Sequence, residues 1–281
     1  MRRVRRSLSF AAVVLVFVGG MWGQESAGPP ACPVAKKLPV PLAPGQTFHP
    51  VEVARPSVEA ARKTAEGGAV DPSVLVAAEP LENFGVARYR LKDYGDCVGN
   101  GGCYWSDVQA QAMRAKGALD MAVQGHKAGE KLALVLDIDE TTLSSYCEMK
   151  REDFGYIPEM FNGWVVTPEA AVAVPGMMQV FEEARAKGVA VFFLTGRPEE
   201  QRAATERNLK AVGYSGWAGL VLRNAEEKGM PTVAYKAAER GKIVAAGYRI
   251  VMSVGDQWSD LNGEPRAEIS VKLPNPFYYL P

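Results

Sequence analysis

The sequence predicts an α/β fold in which a parallel sheet is covered by helices on both faces. Three apolar runs, at residues 132–136, 189–194 and 250–254, lack the alternation of polar and apolar residues that marks a half-exposed strand. Such strands are buried on both faces, as in parallel sheets flanked by helices. Segments with helical spacing separate the runs, so we expect strands and helices to alternate along the chain.

The first 24 residues are predicted to be a secretory signal peptide. Four arginines precede an apolar run from residue 8 to residue 18, which is too short to span a bilayer permanently. We therefore expect an exported protein, periplasmic or secreted, whose mature chain has no stable transmembrane segment. Loss of these four arginines changes 32 basic and 32 acidic residues to 28 and 32. This mildly acidic balance argues against binding of a nucleic acid polymer, and it leaves the oligomeric state undetermined.

Residues 25–80 are predicted to be a Pro-rich tether that is largely disordered. Prolines are frequent between residues 26 and 56, where apolar positions show little periodicity, and only residues 57–65 suggest a short helix. We place the folded domain at residues 81–281. The length of 281 residues and the apolar content of 47% suit one domain with a sizeable core and an extension.

The four cysteines are Cys32, Cys97, Cys103 and Cys147, and export would permit disulfides. Cys97 and Cys103 flank the flexible sequence Val-Gly-Asn-Gly-Gly, so this pair is favoured. Cys147 could instead pair with either of them, since four cysteines allow three full connectivities. A zinc site is disfavoured because the chain has no Cys-x-x-Cys and only two histidines.

A helix is predicted from residue 106 to about residue 126, as an N-terminal helical extension of the sheet. Ser106 or Asp107 could cap it, and apolar residues recur from Val108 to Leu119 at helical spacing. The helix leads directly into the first strand, 132–136.

Two carboxylates, Asp137 and Asp139, end the first strand. Ligands of open α/β sheets bind outside the carboxyl ends of the strands. Alternation places both side chains on one side of an extended backbone, where a hard cation such as Mg²⁺ would relieve their repulsion. Taken alone, the motif fits a pair of solvated acids equally well.

The next stretch, about residues 143–174, is predicted to be an irregular insertion that covers the crevice as a cap. It contains several aromatic residues, Tyr146, Phe154, Tyr156, Phe161 and Trp164. For most of them we favour a small hydrophobic core of the insertion. The alternative is that one or two stack on a substrate ring.

A helix over residues 175–187, ended by Gly188, precedes the strand 189–194, which ends in Thr195-Gly-Arg197. The Thr195 hydroxyl and a free backbone N–H could hold a phosphoryl oxygen, because Gly196 allows the ligand to approach the backbone closely. The alternative is that Thr195 only punctuates the loop before a helix at 199–212.

A weaker strand, 219–222, is followed by a helix from Tyr235 to Ala246. Lys236 lies near the predicted N-terminus of that helix, where a cation is unfavourable. This placement suggests a function, although most lysines are solvated surface residues.

The strand 250–254 again ends in carboxylates, Asp256 and Asp260. Asp256 would face Asp137 if the two strands are neighbours, and Asp260 could reach the same cation. A last strand, 269–273, is predicted at the sheet edge.

Taken together, these motifs resemble the acid phosphatase branch of the haloacid dehalogenase (HAD) superfamily, subfamily IIIB, which includes plant vegetative storage proteins and bacterial class B and class C acid phosphatases. The resemblance covers roughly residues 84–279. It rests on Asp-Ile-Asp-Glu-Thr at 137–141, Leu-Thr-Gly-Arg at 194–197, Tyr-Lys at 235–236 with Arg240, Gly-Asp-Gln-Trp-Ser-Asp at 255–260 and Lys-Leu-Pro-Asn-Pro-Phe-Tyr-Tyr at 272–279. It implies a Rossmann-like sheet with a small inserted cap.

The resemblance also implies catalytic roles. Asp137 would be the nucleophile that forms an aspartyl-phosphate. Asp139 would protonate the leaving oxygen and then activate water, while Thr195 and Lys236 would hold the phosphoryl oxygens.

The resemblance further implies a Mg²⁺ site and substrate contacts. The metal site would comprise Asp137, the backbone carbonyl of Asp139, Asp256 and Asp260. The expected substrate-binding residues are Thr141, Gly196, Arg197, Tyr146 and Trp164.

The expected function is a Mg²⁺-dependent phosphomonoesterase that hydrolyses small organic phosphates, with nucleoside monophosphates among the candidates. One alternative is a phosphotransferase that uses the same intermediate. Another is a non-catalytic storage or binding protein, whose signature would be the loss of the nucleophile. Asp137 is present, which ranks that alternative low.

Overall fold

The computed structural model describes residues 28–32 and 81–280. The predicted signal peptide, most of the predicted tether and the short helix at 57–65 lie outside the described residues. Within the described part of the chain, no helix combines the length and apolarity that a membrane span requires.

The described residues form a five-stranded sheet in which every pairing is parallel, with the strand order β3-β2-β1-β4-β5. The strands are β1 Lys131–Leu136, β2 Ala190–Pro198, β3 Gly219–Arg223, β4 Tyr248–Gly255 and β5 Ile269–Lys272. The predicted parallel α/β sheet is confirmed. The last strand lies at an edge, as predicted, and ends one residue earlier than expected.

Helices cover both faces of the sheet. They are α1 Phe84–Asp96, α2 Tyr104–Gln124, α3 Tyr146–Arg151, α4 Pro158–Val165, α5 Met177–Ala186, α6 Arg202–Ala211, α7 Thr232–Ala245 and α8 Trp258–Leu261. Successive side chains of β1 pack on opposite faces of the sheet. Leu134 belongs to the larger core with α2 and α5, whereas Val135 belongs to a smaller core with α7. This double burial explains the unbroken apolar run in the sequence.

Several predicted helix boundaries were displaced, and α2, for example, spans Tyr104–Gln124 rather than residues 106–126. Helix α5 ends at Ala186, and Gly188 with φ +73° then turns the chain, as its sequence position indicated. Helix α7 begins at Thr232, three residues earlier than predicted, because Pro231 precedes it in an extended conformation. Lys236 therefore lies in the second turn of α7. The prediction that Lys236 lies at the helix N-terminus, where a cation is unfavourable, was wrong. The burial of Lys236 is the feature that indicates a function.

The insertion at 143–174 is more regular than expected. It contains α3, α4 and a short 3₁₀ helix, Pro168–Ala170. Trp164, Val165 and Ala170 form a small core of their own, against which Phe161 packs. The favoured interpretation of the aromatic residues, a core within the insertion, holds for this group.

The structure contains two disulfides. Cys97 pairs with Cys103, which confirms the favoured pairing, and Cys32 pairs with Cys147. The second bond joins segment 28–32 to α3. Helix α2 forms the predicted N-terminal helical extension, with Cys103 rather than Ser106 or Asp107 at its N-cap. Helix α1 was not predicted, and Trp105 Nε1 of α2 donates to the Gly95 carbonyl of α1 at 2.7 Å.

Candidate active site

The site lies where β1, β2 and β4 end, because the carboxyl ends of parallel strands meet at one edge of a sheet. Asp137 follows β1 directly, and its backbone N–H donates to the carbonyl of Val254 in β4 at 3.0 Å. Asp256 follows β4 directly. The expectation that Asp137 and Asp256 lie on neighbouring strands is confirmed.

Three buried carboxylates converge at this edge. Asp137, Asp256 and Asp260 each bring one oxygen into a group whose members lie within 4.8 Å of one another. Burial raises the pKa of Asp137 well above its usual range, and the three neighbouring aspartates add to the rise, while Lys236 opposes it. Burial and the charge of Asp260 likewise raise the pKa of Asp256 to about 7.

Lys236 supplies the positive charge inside this group. Its Nζ donates to Asp137 Oδ1 at 2.6 Å and also to Asp260 Oδ1. Burial opposes the charge on Lys236, but the two carboxylates outweigh it and raise its pKa above the usual range. Lys236 therefore stays protonated and fixes the position of Asp137.

The residues of the site fit a hard divalent cation. Five carboxylates gather here, those of Asp137, Asp139, Glu140, Asp256 and Asp260, and the cationic side chains bonded to them are Lys236 and Arg197. Buried charges need compensation, and carboxylate oxygens are the ligands that hard divalent cations prefer. The buried aspartate cluster can therefore bind a metal ion.

Asp139 occupies a different environment from Asp137. Arg197 donates to it twice, from Nη2 to Oδ1 at 2.6 Å and from Nε to Oδ2 at 3.0 Å, which is a bidentate pair. Arg197 is itself held by a bond from Nη1 to Thr205 Oγ1 at 3.1 Å. The carboxylate of Asp139 thus pairs with Arg197, the residue we had expected at the substrate.

The Thr195-Gly-Arg197 segment lies beside this pair. Thr195 is buried, its Oγ1 accepts from the backbone N–H of Arg197 at 3.2 Å, and its carbonyl accepts from Tyr235 at 3.0 Å. Gly196 is exposed, and a Cβ added there would meet no atom within 4 Å. The backbone at Gly196 is open to an approaching ligand.

Three predicted substrate contacts have other partners. Thr141 Oγ1 donates to Asp256 Oδ1 at 3.1 Å and so supports that carboxylate. The ring of Tyr146 is fully buried in the main core, and its hydroxyl donates to Asp96 at 2.8 Å. Trp164 is 4% exposed within the core of the insertion. We correct the assignments of Tyr146 and Trp164, because neither ring has a free face for a substrate.

Sequence reasoning assigned no role to Glu140, although this residue is central to the site. Its backbone has φ +53°, and its buried carboxylate accepts from Ser145 N, Ser145 Oγ and Ser144 Oγ at 2.6 to 2.9 Å. Tyr278 of the C-terminal segment also donates to it, at 3.2 Å. Burial raises the pKa of Glu140 to about 7, although the serine hydrogen bonds oppose the rise.

Asp256 has two further partners that sequence reasoning missed. Gln257 Nε2 and Asn275 Nδ2 each donate to Asp256 Oδ2 at 2.7 Å. The available signals were the motif at 255–260, which contains Gln257, and the motif at 272–279, which contains Asn275 and Tyr278.

Comparisons with known proteins identify the family of this chain. The model of the family described as HAD superfamily, subfamily IIIB (acid phosphatase), matches residues 63–281. Acid phosphatase 1 of Solanum lycopersicum is 37% identical over 149 residues, which are 52% of this chain and 58% of that protein. Vegetative storage protein 1 of Arabidopsis thaliana is 32% identical over 150 residues, covering 52% of this chain and 55% of that protein. The chain thus spans less than two thirds of the length of these relatives.

A solved structure has the same fold. The class C acid phosphatase from Bacillus anthracis with tungstate bound matches with a TM-score of 0.53 and 24% identity, covering 63% of this chain and 79% of that chain. The family model shows that the chain belongs to subfamily IIIB of the HAD superfamily, the acid phosphatase family, and the resemblance seen in its motifs is confirmed.

Proposed function

We propose that this member of the HAD acid phosphatase family is a Mg²⁺-dependent phosphomonoesterase that acts on small organic phosphates through an aspartyl-phosphate on Asp137. One observation carries the proposal: the buried carboxylate of Asp137 is held by Lys236 at 2.6 Å beside two further buried aspartates. A carboxylate nucleophile needs such fixed positioning and compensating charge.

The proposed chemistry has two steps. In the first, a carboxylate oxygen of Asp137 attacks phosphorus, the bond to the leaving oxygen breaks, and that oxygen takes a proton from Asp139. In the second, Asp139 accepts a proton from water, the resulting hydroxide attacks phosphorus, and phosphate leaves with Asp137 restored. The bidentate contact from Arg197 fixes the orientation of Asp139 in its carboxylate form, which is the form that accepts the proton in the second step.

Charge stabilisation must supply most of the rate. Phosphate-monoester hydrolysis requires accelerations up to ~10²¹-fold, whereas one general acid or base supplies ~10²–10⁴. Lys236 and the hydroxyl of Thr195 would hold the phosphoryl oxygens. Mg²⁺, held by Asp137, the Asp139 carbonyl, Asp256 and Asp260, would neutralise the charge that develops on those oxygens.

The first test is hydrolysis of p-nitrophenyl phosphate by the purified chain, with Mg²⁺, after EDTA treatment, and with the Asp137→Asn variant. We expect turnover that EDTA removes, that added Mg²⁺ restores and that the variant lacks. Metal-independent turnover would contradict the cofactor assignment. A panel of nucleoside monophosphates and other small phosphate esters then ranks substrates.

Storage without catalysis is the second candidate, because some relatives are named vegetative storage proteins. Absence of turnover on the whole substrate panel, from mildly acidic to mildly alkaline pH, would favour it. A phosphotransferase would use the same intermediate, so the assay is repeated with an added alcohol acceptor. A phosphorylated alcohol would identify transfer rather than hydrolysis.

We also propose that the protein is exported to the periplasm or secreted. The two disulfides support this proposal, since such bonds persist in oxidising compartments. Fractionation of cells that express the full chain, with sequencing of the mature N-terminus, tests export. Retention of the uncleaved chain in the cytoplasm would contradict it.

A further inference from the structure

The C-terminal segment 273–280, called here the C-terminal strap, is fixed to the core on its way past the site. Leu273 and Phe277 are buried in the main core. The Phe277 ring packs edge-on against Tyr104 at 4.7 Å between centroids and stacks with Phe154 at 5.6 Å. The strap is therefore anchored on both sides of Asn275.

The strap reaches the carboxylate of Asp256. Asp256 Oδ2 accepts from Asn275 Nδ2 and from Gln257 Nε2, both at 2.7 Å, whereas Oδ1 accepts from Thr141 Oγ1 at 3.1 Å. A carboxylate oxygen offers about two lone pairs. Oδ2 is thus fully used by the amides, and Oδ1 retains acceptor capacity for a ligand.

Backbone groups of the strap set the direction of both amides. Asn275 Oδ1 accepts from the N–H of Phe277 at 2.8 Å, and Gln257 Oε1 accepts from the N–H of Leu280 at 3.1 Å. Flipping either amide would put its oxygen against the carboxylate and its NH₂ against a backbone donor. The hydrogen-bond network therefore fixes the donor end of each amide on Asp256.

We propose that Asn275 is a positioning residue that holds Asp256 Oδ2, so that Oδ1 is presented to the divalent cation. This inference rests on the proposed function, because it takes Asp256 as a metal ligand. Asn275 acts only through Asp256. Partners of this kind, which orient a metal ligand, typically change metal affinity about 10–100-fold when they are removed.

The test compares Mg²⁺ binding by isothermal titration calorimetry in metal-stripped wild type and Asn275→Ser. Serine keeps a short side-chain oxygen that can accept from the N–H of Phe277, but it cannot reach Asp256. We expect a Kd for Mg²⁺ that is about 10–100-fold weaker, with little change in the Tm of the metal-free protein. Tyr279→Ala is the matched control, because Tyr279 belongs to the same strap and is 72% exposed; its Kd should equal that of the wild type.

The outcomes separate this inference from the proposed function. Wild-type affinity in Asn275→Ser overturns the inference alone, provided that Asp256→Asn loses binding. Equal weakening in Tyr279→Ala overturns it as well, because the effect would then come from a loosened strap. A wild-type chain that does not bind Mg²⁺, or an Asp256→Asn variant that binds it normally, overturns the metal site of the proposed function together with this inference.

Discussion

The active site and the contact between α1 and the base of the insertion are both rich in charge, yet they differ in balance and burial. In that contact, which we call the clasp, Asp96 accepts from Lys150 at 2.7 Å and from Tyr146 at 2.8 Å, while Asp153 pairs with Arg88 and Lys92. Each acid of the clasp has a cationic partner, and the side chain of Asp153 is 40% exposed.

The active site has more acids than cations, and all of its charged residues except Asp139 are buried. Such an arrangement lowers stability, because buried like charges repel and lose their hydration. Strongly shifted pKa values in a cleft are typical of functional sites. The clasp charges thus contribute weakly to stability, whereas the site charges, which the proposed function uses for chemistry, lower it. Replacing a site acid should therefore reduce turnover without loss of stability, whereas replacing a clasp charge should slightly reduce stability without loss of turnover.

The largest effect is expected for Asp137→Asn. Turnover of p-nitrophenyl phosphate should fall by roughly 10⁴–10⁶-fold, the size seen when a nucleophile is removed. The Tm should stay the same or rise, because asparagine keeps an oxygen for Lys236 and removes one buried negative charge. Thermal denaturation of the same preparations checks this point. Retained activity in a clean preparation would overturn the mechanism.

Lys236→Met should damage both activity and stability. Turnover should fall about 10²–10³-fold, because a preorganised charge at the phosphoryl oxygens is lost. Without metal, the free energy of unfolding should fall by about 3–5 kcal/mol, since Asp137 and Asp260 lose their shared buried cation. Urea denaturation with and without Mg²⁺ measures both states, and Mg²⁺ should restore part of the loss.

The control for Lys236 lies on the same helix. Lys242 pairs with Glu239, but its side chain is 65% exposed, so Lys242→Met should cost less than about 1 kcal/mol. Equal destabilisation by the two variants would contradict the claim that burial determines how much each lysine contributes to stability.

Removal of the disulfide between Cys32 and Cys147 should affect stability alone. This bond closes a separation of 115 residues, whereas Cys97 and Cys103 are only 6 apart. Loop-closure entropy then predicts losses of about 5 and about 2 kcal/mol for the two double Cys→Ser variants. Turnover at a temperature where both variants are folded should match the wild type. A larger loss of stability on removing the Cys97–Cys103 bond would show that loop-closure entropy does not determine which disulfide stabilises the protein more.

The contrast between the regions also explains what the sequence could predict. The strands and the acids at their ends depend on short-range patterns, so β1, β2 and β4 and the convergence of Asp137 with Asp256 could be predicted. The role of Glu140 could not, because nothing in the sequence shows that its carboxylate turns inward to Ser144 and Ser145, and its further partner Tyr278 is 138 residues away. Asn275 likewise gains its role only when the strap folds back onto Asp256.

The insertion shows a second limit of sequence reasoning. The sequence does not distinguish an aromatic residue of the insertion that packs in a core from one that contacts a substrate. Tyr146 is predicted to contact the substrate, but Gly95 allows its ring to pack closely against α1. A Cβ at Gly95 would lie 2.2 Å from the Tyr146 ring. The ring is therefore buried because two segments that are distant in sequence approach each other closely. The partner of Cys147 also remained open, since spacing cannot determine connectivity.

The smallest effect is expected in the clasp, for Lys150→Met. The Lys150 side chain is 34% exposed, so solvent screens its pair with Asp96, and Asp96 keeps its bond from Tyr146. The free energy of unfolding should fall by less than about 1 kcal/mol, with turnover unchanged. The difference should shrink further in concentrated salt, where the screening length falls to about 3 Å. The loss caused by Lys236→Met should survive the same salt, because buried pairs are screened much less. Unfolding curves at low and high salt for the two variants therefore test whether burial distinguishes the clasp from the site, and a parallel salt response would contradict that distinction.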